Sequence, residues 1–193
     1  MQHFSIELHL NSRKDDDRSL KRLLKACIKG DREAQKTLYE SLSPKMFPVC
    51  LRYMSSREEA EDVLQEGFVT LFSKLDSYSG KGSFEGWARK IFVNTALMQL
   101  RKNDVLKESE DLEGAWDISS QDPTIIQNIG YQELLELIES LPPGFRTVFN
   151  MYVIEGYSHK EIGEALGISE NTSRSQLQRA RVILQKKVLE KIG

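Results

Sequence analysis

The chain has 193 residues, 39% hydrophobic and 29% charged, a composition that suits an ordinary globular protein of one large or two small domains. No apolar run approaches the ~18 residues that a membrane-spanning helix needs, and the first residues lack the basic segment and long apolar core of a secretion signal. Cys27 and Cys50 are the only cysteines; they form no C-x-x-C pair, so a cytoplasmic setting with two ordinary buried thiols is expected.

The formal net charge is −2, but it is unevenly spread. Residues 1–103 carry net +4, residues 104–140 net −9, and residues 141–193 net +3. Two mildly basic blocks separated by a strongly acidic one point to separate surfaces or partners for the three parts.

Residues 1–17 read as a tail. Phe4, Ile6, Leu8 and Leu10 alternate with polar residues as in a strand, but nothing nearby could pair with it. From Leu20 to about Lys102 the periodicity is helical. Leu20, Leu23, Leu24, Cys27 and Ile28 keep the 3–4 spacing of one apolar face. Gly30 ends this helix and Asp31 caps the next, which carries Ala34, Leu38 and Leu42. Pro44 and Pro48 are expected to interrupt or kink the segment after Leu42, because each lacks an amide donor.

Ser56 with Glu59 caps a helix from Arg57 to about Leu75. Its buried stripe is Ala60, Leu64, Phe68, Leu71 and Leu75. On its other side Asp62, Gln65, Glu66, Val69 and Phe72 lie together, an apolar pair rimmed by acidic and amide groups. That pattern suits docking to a basic helical partner, or equally a helix of the same domain covering Val69 and Phe72. After the glycine-bearing loop 79–83 a helix runs from Phe84 to about Lys102. Phe84, Trp87, Ala88, Ile91, Thr95 and Met98 are expected to face the core. Lys90, Asn94, Leu97 and Arg101 form the adjacent stripe. Basic groups, an amide and aromatic rings beside a loop can hold a single nucleic-acid strand with its bases unstacked, although Phe84 and Trp87 at i,i+3 fit a core position better.

Residues 104–127, acidic and without a sustained apolar face, read as a linker. Helical periodicity returns at Tyr131, Leu134, Leu135, Ile138 and Leu141. Pro142-Pro143 starts another helix, with Phe145, Val148, Phe149 and Tyr152, which Gly156 ends. Ser158 and Glu161 then have the spacing of a capping box. Ile162, Ala165 and Leu166 form an apolar face, Gly167 can close the helix in the left-handed conformation, and Ser169 caps a second helix. On this last helix Ser173, Leu177, Ala180 and Leu184 share one side. Asn171, Ser175, Gln178 and Arg179 point the other way, with Arg174 and Arg181 on the flanks. This is the pattern of a helix-turn-helix whose second helix presents donors suited to phosphates and to base edges in the major groove.

Three of these segments together resemble bacterial sigma factors of the sigma-70 family. Ala60 to Phe68, AEDVLQEGF, resembles their polymerase-binding helix. Phe84 to Asn94, FEGWARKIFVN, with Arg101-Lys102, resembles their promoter-melting helix. Leu141 to Val148, LPPGFRTV, leading into the helix-turn-helix, resembles their C-terminal domain. The larger members' N-terminal extension and middle domain have no counterpart in the pattern, so the resemblance is to the small extracytoplasmic function (ECF) class.

The resemblance implies an all-α chain of two small helical domains: a region 2-like bundle over 18–103 and a region 4-like helix-turn-helix domain over 128–193, joined by the acidic linker. It implies that Glu61, Asp62, Gln65, Val69 and Phe72 meet core RNA polymerase at the clamp helices of its largest subunit. The flap of the second-largest subunit would be a further polymerase contact. Asn94, with loop 79–83, would take a flipped base of the minus-ten element, supported by Lys90, Arg101 and Lys102. Arg174, Ser175, Gln178 and Arg179 would read the minus-thirty-five element, with Thr172, Gln176 and Arg181 nearer the phosphates. An anti-sigma factor is a further implied partner.

A competing reading is a helix-turn-helix regulator that binds duplex DNA without polymerase; it leaves Asp62, Gln65 and Asn94 without a role. An enzyme is not expected. His3, His9 and His159 are scattered, and no cysteine or carboxylate cluster has catalytic or metal-ligand spacing. No cofactor is implied.

Overall fold

The computed structural model describes residues 18–102 and 131–192; the expected tail (1–17) and acidic linker (104–127) lie outside the described residues. Among the described residues every regular element is helical.

Helix α1 covers 18–28 and stops at Gly30, whose φ of +84° suits a residue without a Cβ. Leu24 and Cys27 face inward, whereas Ile28, expected on the same face, is 52% exposed at its edge. Asp31 Oδ1 accepts the Ala34 amide at 3.0 Å and so caps α2, Arg32–Tyr53. The expected interruption of α2 does not occur: it runs on through Pro44 and Pro48. Both prolines lie on its exposed side, where water can take up the carbonyls left without an amide partner, while Leu38, Leu42, Met46, Val49 and Tyr53 are buried opposite.

Ser56 Oγ accepts the Glu59 amide at 3.1 Å and starts α3, Arg57–Lys74, which ends in a 3₁₀ turn at Leu75–Ser77. Helix α4 spans Phe84–Lys102. Helices α2, α3 and α4 pack around Phe68, Leu71, Phe92, Val93 and Ala96. Helix α3 approaches α4 closely at Gly67, because the Phe92 ring occupies the place of a side chain there.

The C-terminal group begins with α5, Tyr131–Glu139, and α6, Pro143–Phe149. Pro143 stands in the first turn of α6, where a missing amide costs nothing. Helix α6 continues into a wider π turn, Asn150–Ile154, in which the Glu155 amide reaches back to Asn150 O at 3.0 Å. Gly156, at φ +75°, ends it. Helices α7, His159–Leu166, and α8, Glu170–Ile192, complete the group. Phe145, Val148, Met151, Ile162, Leu177, Ala180, Leu184 and Val188 fill the space between α6, α7 and α8.

The two groups of helices touch. Helix α2 contacts α5 and α6, and α4 contacts α7. The last carbonyls of α2 have no amide partner of their own. Asn150 Nδ2 donates to Arg52 O at 2.7 Å, and an Arg146 guanidinium nitrogen lies 3.4 Å from Tyr53 O and 3.3 Å from Ser55 Oγ. Beside them the Glu155 carboxylate accepts from Arg52 at 2.9 Å and from both Arg89 Nε and a terminal Arg89 nitrogen at 2.6 and 3.1 Å.

Candidate nucleic-acid interface

The helix-turn-helix is assembled by short-range contacts. The Ser158 side chain accepts the Glu161 amide at 3.2 Å, while Glu161 Oε2 accepts from the Ser158 amide at 2.8 Å. These two bonds complete the capping box, and the Ser158 amide, with the Ser158 hydroxyl that also donates to Glu161 Oε2 at 2.8 Å, holds the Glu161 carboxyl below the usual carboxylate range. Gly167, at φ +71°, closes α7 by donating to Gly163 O at 2.9 Å. The turn then passes so close to α7 that a Cβ on Gly163 would lie 2.8 Å from the Ile168 carbonyl oxygen. Ser169 Oγ accepts the Thr172 amide at 2.9 Å and starts α8.

Ser173, Leu177, Ala180 and Leu184 turn α8 into the core, as their spacing requires. Arg174, Ser175 and Arg181 are exposed, and Thr172, Gln178 and Arg179 are half-buried. Gln176, expected near phosphates, is 5% exposed. It lies only about 60° from Ser173 around the helix and so belongs to the edge of the packed face. Arg174 is held by Glu170 one turn earlier at 2.6 Å, a bond it must exchange for any ligand.

On α4, Lys90, Asn94, Arg101 and Lys102 are all exposed. Asn94 stands ten residues beyond Phe84, about 15 Å along the helix axis at 1.5 Å per residue. The aromatic residues at the loop's base pack on one another. Phe84 is buried, its ring centroid 5.5 Å from Trp87, while Tyr78 lies 5.4 Å from Trp87 and donates its hydroxyl to Gly82 O at 2.8 Å.

Helices α3 and α4 enclose an open groove of about 730 Å³ that includes Asp62, Gln65, Glu66, Val69, Met98 and Lys102. Val69 is 64% exposed, and so is Met98 at 68%, contrary to the expected core position. The α3 residues opposite Met98 line the groove without filling it. Met98 is thus a candidate contact that the helical periodicity hid. Phe72 is half-buried against Phe68, with ring centroids 6.1 Å apart, and contributes less to this surface than expected. Glu61 faces a second groove, between α2 and α3, and pairs with Arg57 at 2.9 Å. Gln65 borders both grooves. Among the described residues no group of His, Cys, Asp and Glu could hold a metal ion, and no helix is long and apolar enough to cross a membrane.

Comparison with known proteins gives these surfaces a common context. A family model described as sigma-70 region 2 matches residues 38–105, and one described as sigma-70, region 4 matches residues 131–184. The chain is similar to the ECF RNA polymerase sigma factor SigE of Mycolicibacterium smegmatis, with 30% identity over 160 residues that cover 79% of this chain and 62% of that protein. It is similar to the ECF RNA polymerase sigma factor SigW of Bacillus subtilis, with 25% identity over 181 residues, 88% of this chain and 96% of that one. Among solved structures, the sigma factor RpoE of Bartonella quintana, in complex with the anti-sigma factor NepR, shares 22% identity at a TM-score of 0.49 over 80% of this chain and 96% of that chain. With both region models matched in order, and with ECF sigma factors among its relatives, the chain belongs to the sigma-70 family, in the ECF group of promoter-specific initiation factors for RNA polymerase.

Proposed function

We propose that this factor uses three surfaces together. The α3–α4 groove around Asp62, Gln65 and Val69, widened by Met98, docks on the clamp helices of core polymerase, with Glu61 contributing from the adjoining groove. The stripe of Lys90, Asn94 and Arg101, with Lys102, holds the melted minus-ten strand. Helix α8 reads the minus-thirty-five element with Arg174, Ser175, Gln178 and Arg179, while Thr172 and Arg181 meet phosphates. The units are residues 18–103 and 128–193, with 104–127 as the tether.

The observation that carries this reading is the exposure of Val69 and Met98 beside Asp62 on one unit, together with a capped, donor-bearing α8 on the other. A regulator that acted without polymerase would share α8 and would leave the groove unused. The resemblance also brings an anti-sigma partner, no catalytic step and a place of action in the cytoplasm.

The test is transcription in vitro. Purified core polymerase with this protein should initiate on a discrete subset of genomic promoter fragments. Failure to initiate on any fragment, with duplex binding retained, would favour the regulator.

A further inference from the structure

We propose that Asn171, near the start of α8, is a further specificity-determining residue and recognises an adenine of the minus-thirty-five element through its carboxamide. The assignment rests on the proposed function, in which α8 lies in the major groove of that element.

Ser173, Leu177, Ala180 and Leu184 fix the buried side of α8. At about 100° per residue, Asn171 stands roughly 150° from the middle of that side, Ser175 about 170° and Gln178 about 130°. The three form one outward line at i, i+4 and i+7. Arg174 and Arg181 stand nearer the edge of the buried side, at about 90° and 70°. Asn171 and Ser175 are exposed on the line, and Gln178 is half-buried. From Asn171 to Gln178 the line runs about 10 Å at 1.5 Å per residue, the height of about three base pairs at ~3.4 Å each. In a helix-turn-helix the first residues of the second helix reach the base edges, and Asn171 leads this line.

The polar groups around it already have internal partners. Arg174 pairs with Glu170 at 2.6 Å, Ser175 Oγ donates to Thr172 O at 2.9 Å, and Thr172 Oγ1 lies 2.8 Å from Ser169 Oγ. The Asn171 carboxamide has no partner among the described residues. Asn is a weaker helix former than Ala, and Asn171 does not offset this by capping, because Ser169 caps α8. Its hydrogen-bonding capacity is therefore left for a ligand.

The start of α8 is also held in place. Two positions beyond Asn171, the Ser173 hydroxyl lies 2.9 Å from His159 Nδ1 in the core. The turn before α8 passes so close to α7 that Gly163 has no room for a Cβ. A reading group set on a supported helix needs little reordering when it binds. The carboxamide offers a donor and an acceptor side by side. Its NH2 can donate to adenine N7 while its oxygen accepts from adenine N6–H, a pairing that guanine, cytosine and thymine do not present in the major groove.

The test uses holoenzyme formed from core polymerase and the full chain. Promoter duplexes randomised across the upstream element are selected by binding and sequenced. The wild type should enrich adenine on one strand at a position that Asn171→Ala leaves unselected, with the other positions and the circular dichroism unchanged. On the duplex preferred by the wild type, Asn171→Ala should bind about tenfold more weakly, as for one lost bidentate base contact, with an unaltered salt dependence. Replacing that adenine by 7-deazaadenine, which lacks the N7 acceptor, should weaken the wild type severalfold and leave Asn171→Ala unaffected. This second step reads the contact itself, which a merely structural role would not move. Identical base preferences in the two proteins would overturn the assignment, as would an equal 7-deazaadenine penalty in both. A uniform loss over all sequences with a shallower salt dependence would overturn it too, by making Asn171 a phosphate contact. A wild-type holoenzyme that selects no upstream base would overturn the proposed function and this assignment with it.

Discussion

His159 Nδ1 lies 2.9 Å from Ser173 Oγ, joining the first helix of the helix-turn-helix to the buried side of the second. The imidazole also stacks on Tyr152, with ring centroids 4.4 Å apart. Burial holds its pKa below the ordinary histidine value, and the Arg174 and Arg181 charges act in the same direction, against Glu170. The folded state therefore favours neutral imidazole. This contribution to stability is complete above about pH 6.5, the unfolded value, and is lost as the pH falls from there through the lower folded value. Thermal melting from pH 8 to pH 5 should show a loss below pH 6.5 that His159→Phe, which keeps the stacking ring, lacks. Equal slopes in both proteins would remove His159 as the cause.

Gly163→Ala should weaken the second group of helices. The added methyl would lie 2.8 Å from the Ile168 carbonyl oxygen, and a backbone carbonyl in a tight turn cannot swing aside as a side chain can. Overpacking of this kind costs about 1–3 kcal/mol. Denaturant unfolding of the full chain should show the loss together with weaker duplex binding, because the turn sets the angle of α8. An unchanged midpoint would mean that the turn can shift.

Asp62→Lys should abolish co-purification with core polymerase while leaving the fold intact. Asp62 is exposed beside Val69 and Met98 on the α3–α4 groove, so its charge can be reversed without burying a cation. Met98→Glu should have the same effect through the apolar part of the groove. Retained binding in both variants would move the docking surface elsewhere.

Arg174→Ala should cost about 1–3 kcal/mol of duplex affinity and relax preference at one base pair. Part of that contribution is offset in the free protein, because Arg174 gives up its 2.6 Å bond to Glu170; exposed pairs of this kind hold only about 0–1 kcal/mol. Glu170→Ala should therefore leave affinity unchanged or raise it slightly. Binding titrations against single-base variants of the site would show both effects. An unaltered base preference in Arg174→Ala would exclude it from readout.

The legibility of the sequence tracks the range of the forces involved. Ser158, Glu161, Gly167 and Ser169 act within one turn of their own positions, and each occupies the place its spacing required. The buried sides of α3 and α8 were equally readable, since Leu64, Phe68, Ser173 and Leu177 repeat at helical intervals. Pro44 and Pro48 misled because the rule for proline assumes that the lost bond matters; on the wet side of α2 it does not. Met98 misled because periodicity says which side a residue faces and not whether a neighbour covers it. Glu155 gave no signal, as its partners stand 66 and 103 positions away. Only the packing of distant helices brings them together.

The π turn at Asn150–Ile154 acts as a phase-setter for everything after it. An extra residue in one turn rotates the backbone beyond it by about 100° relative to an unbroken α-helix. With that offset Glu155, just past the turn, meets two arginines, while Asn150, which opens it, reaches the end of α2. Deleting one residue here would keep the caps while swinging Glu155 and the helices after it aside, so the length of this short stretch is as much a determinant as the identity of its side chains.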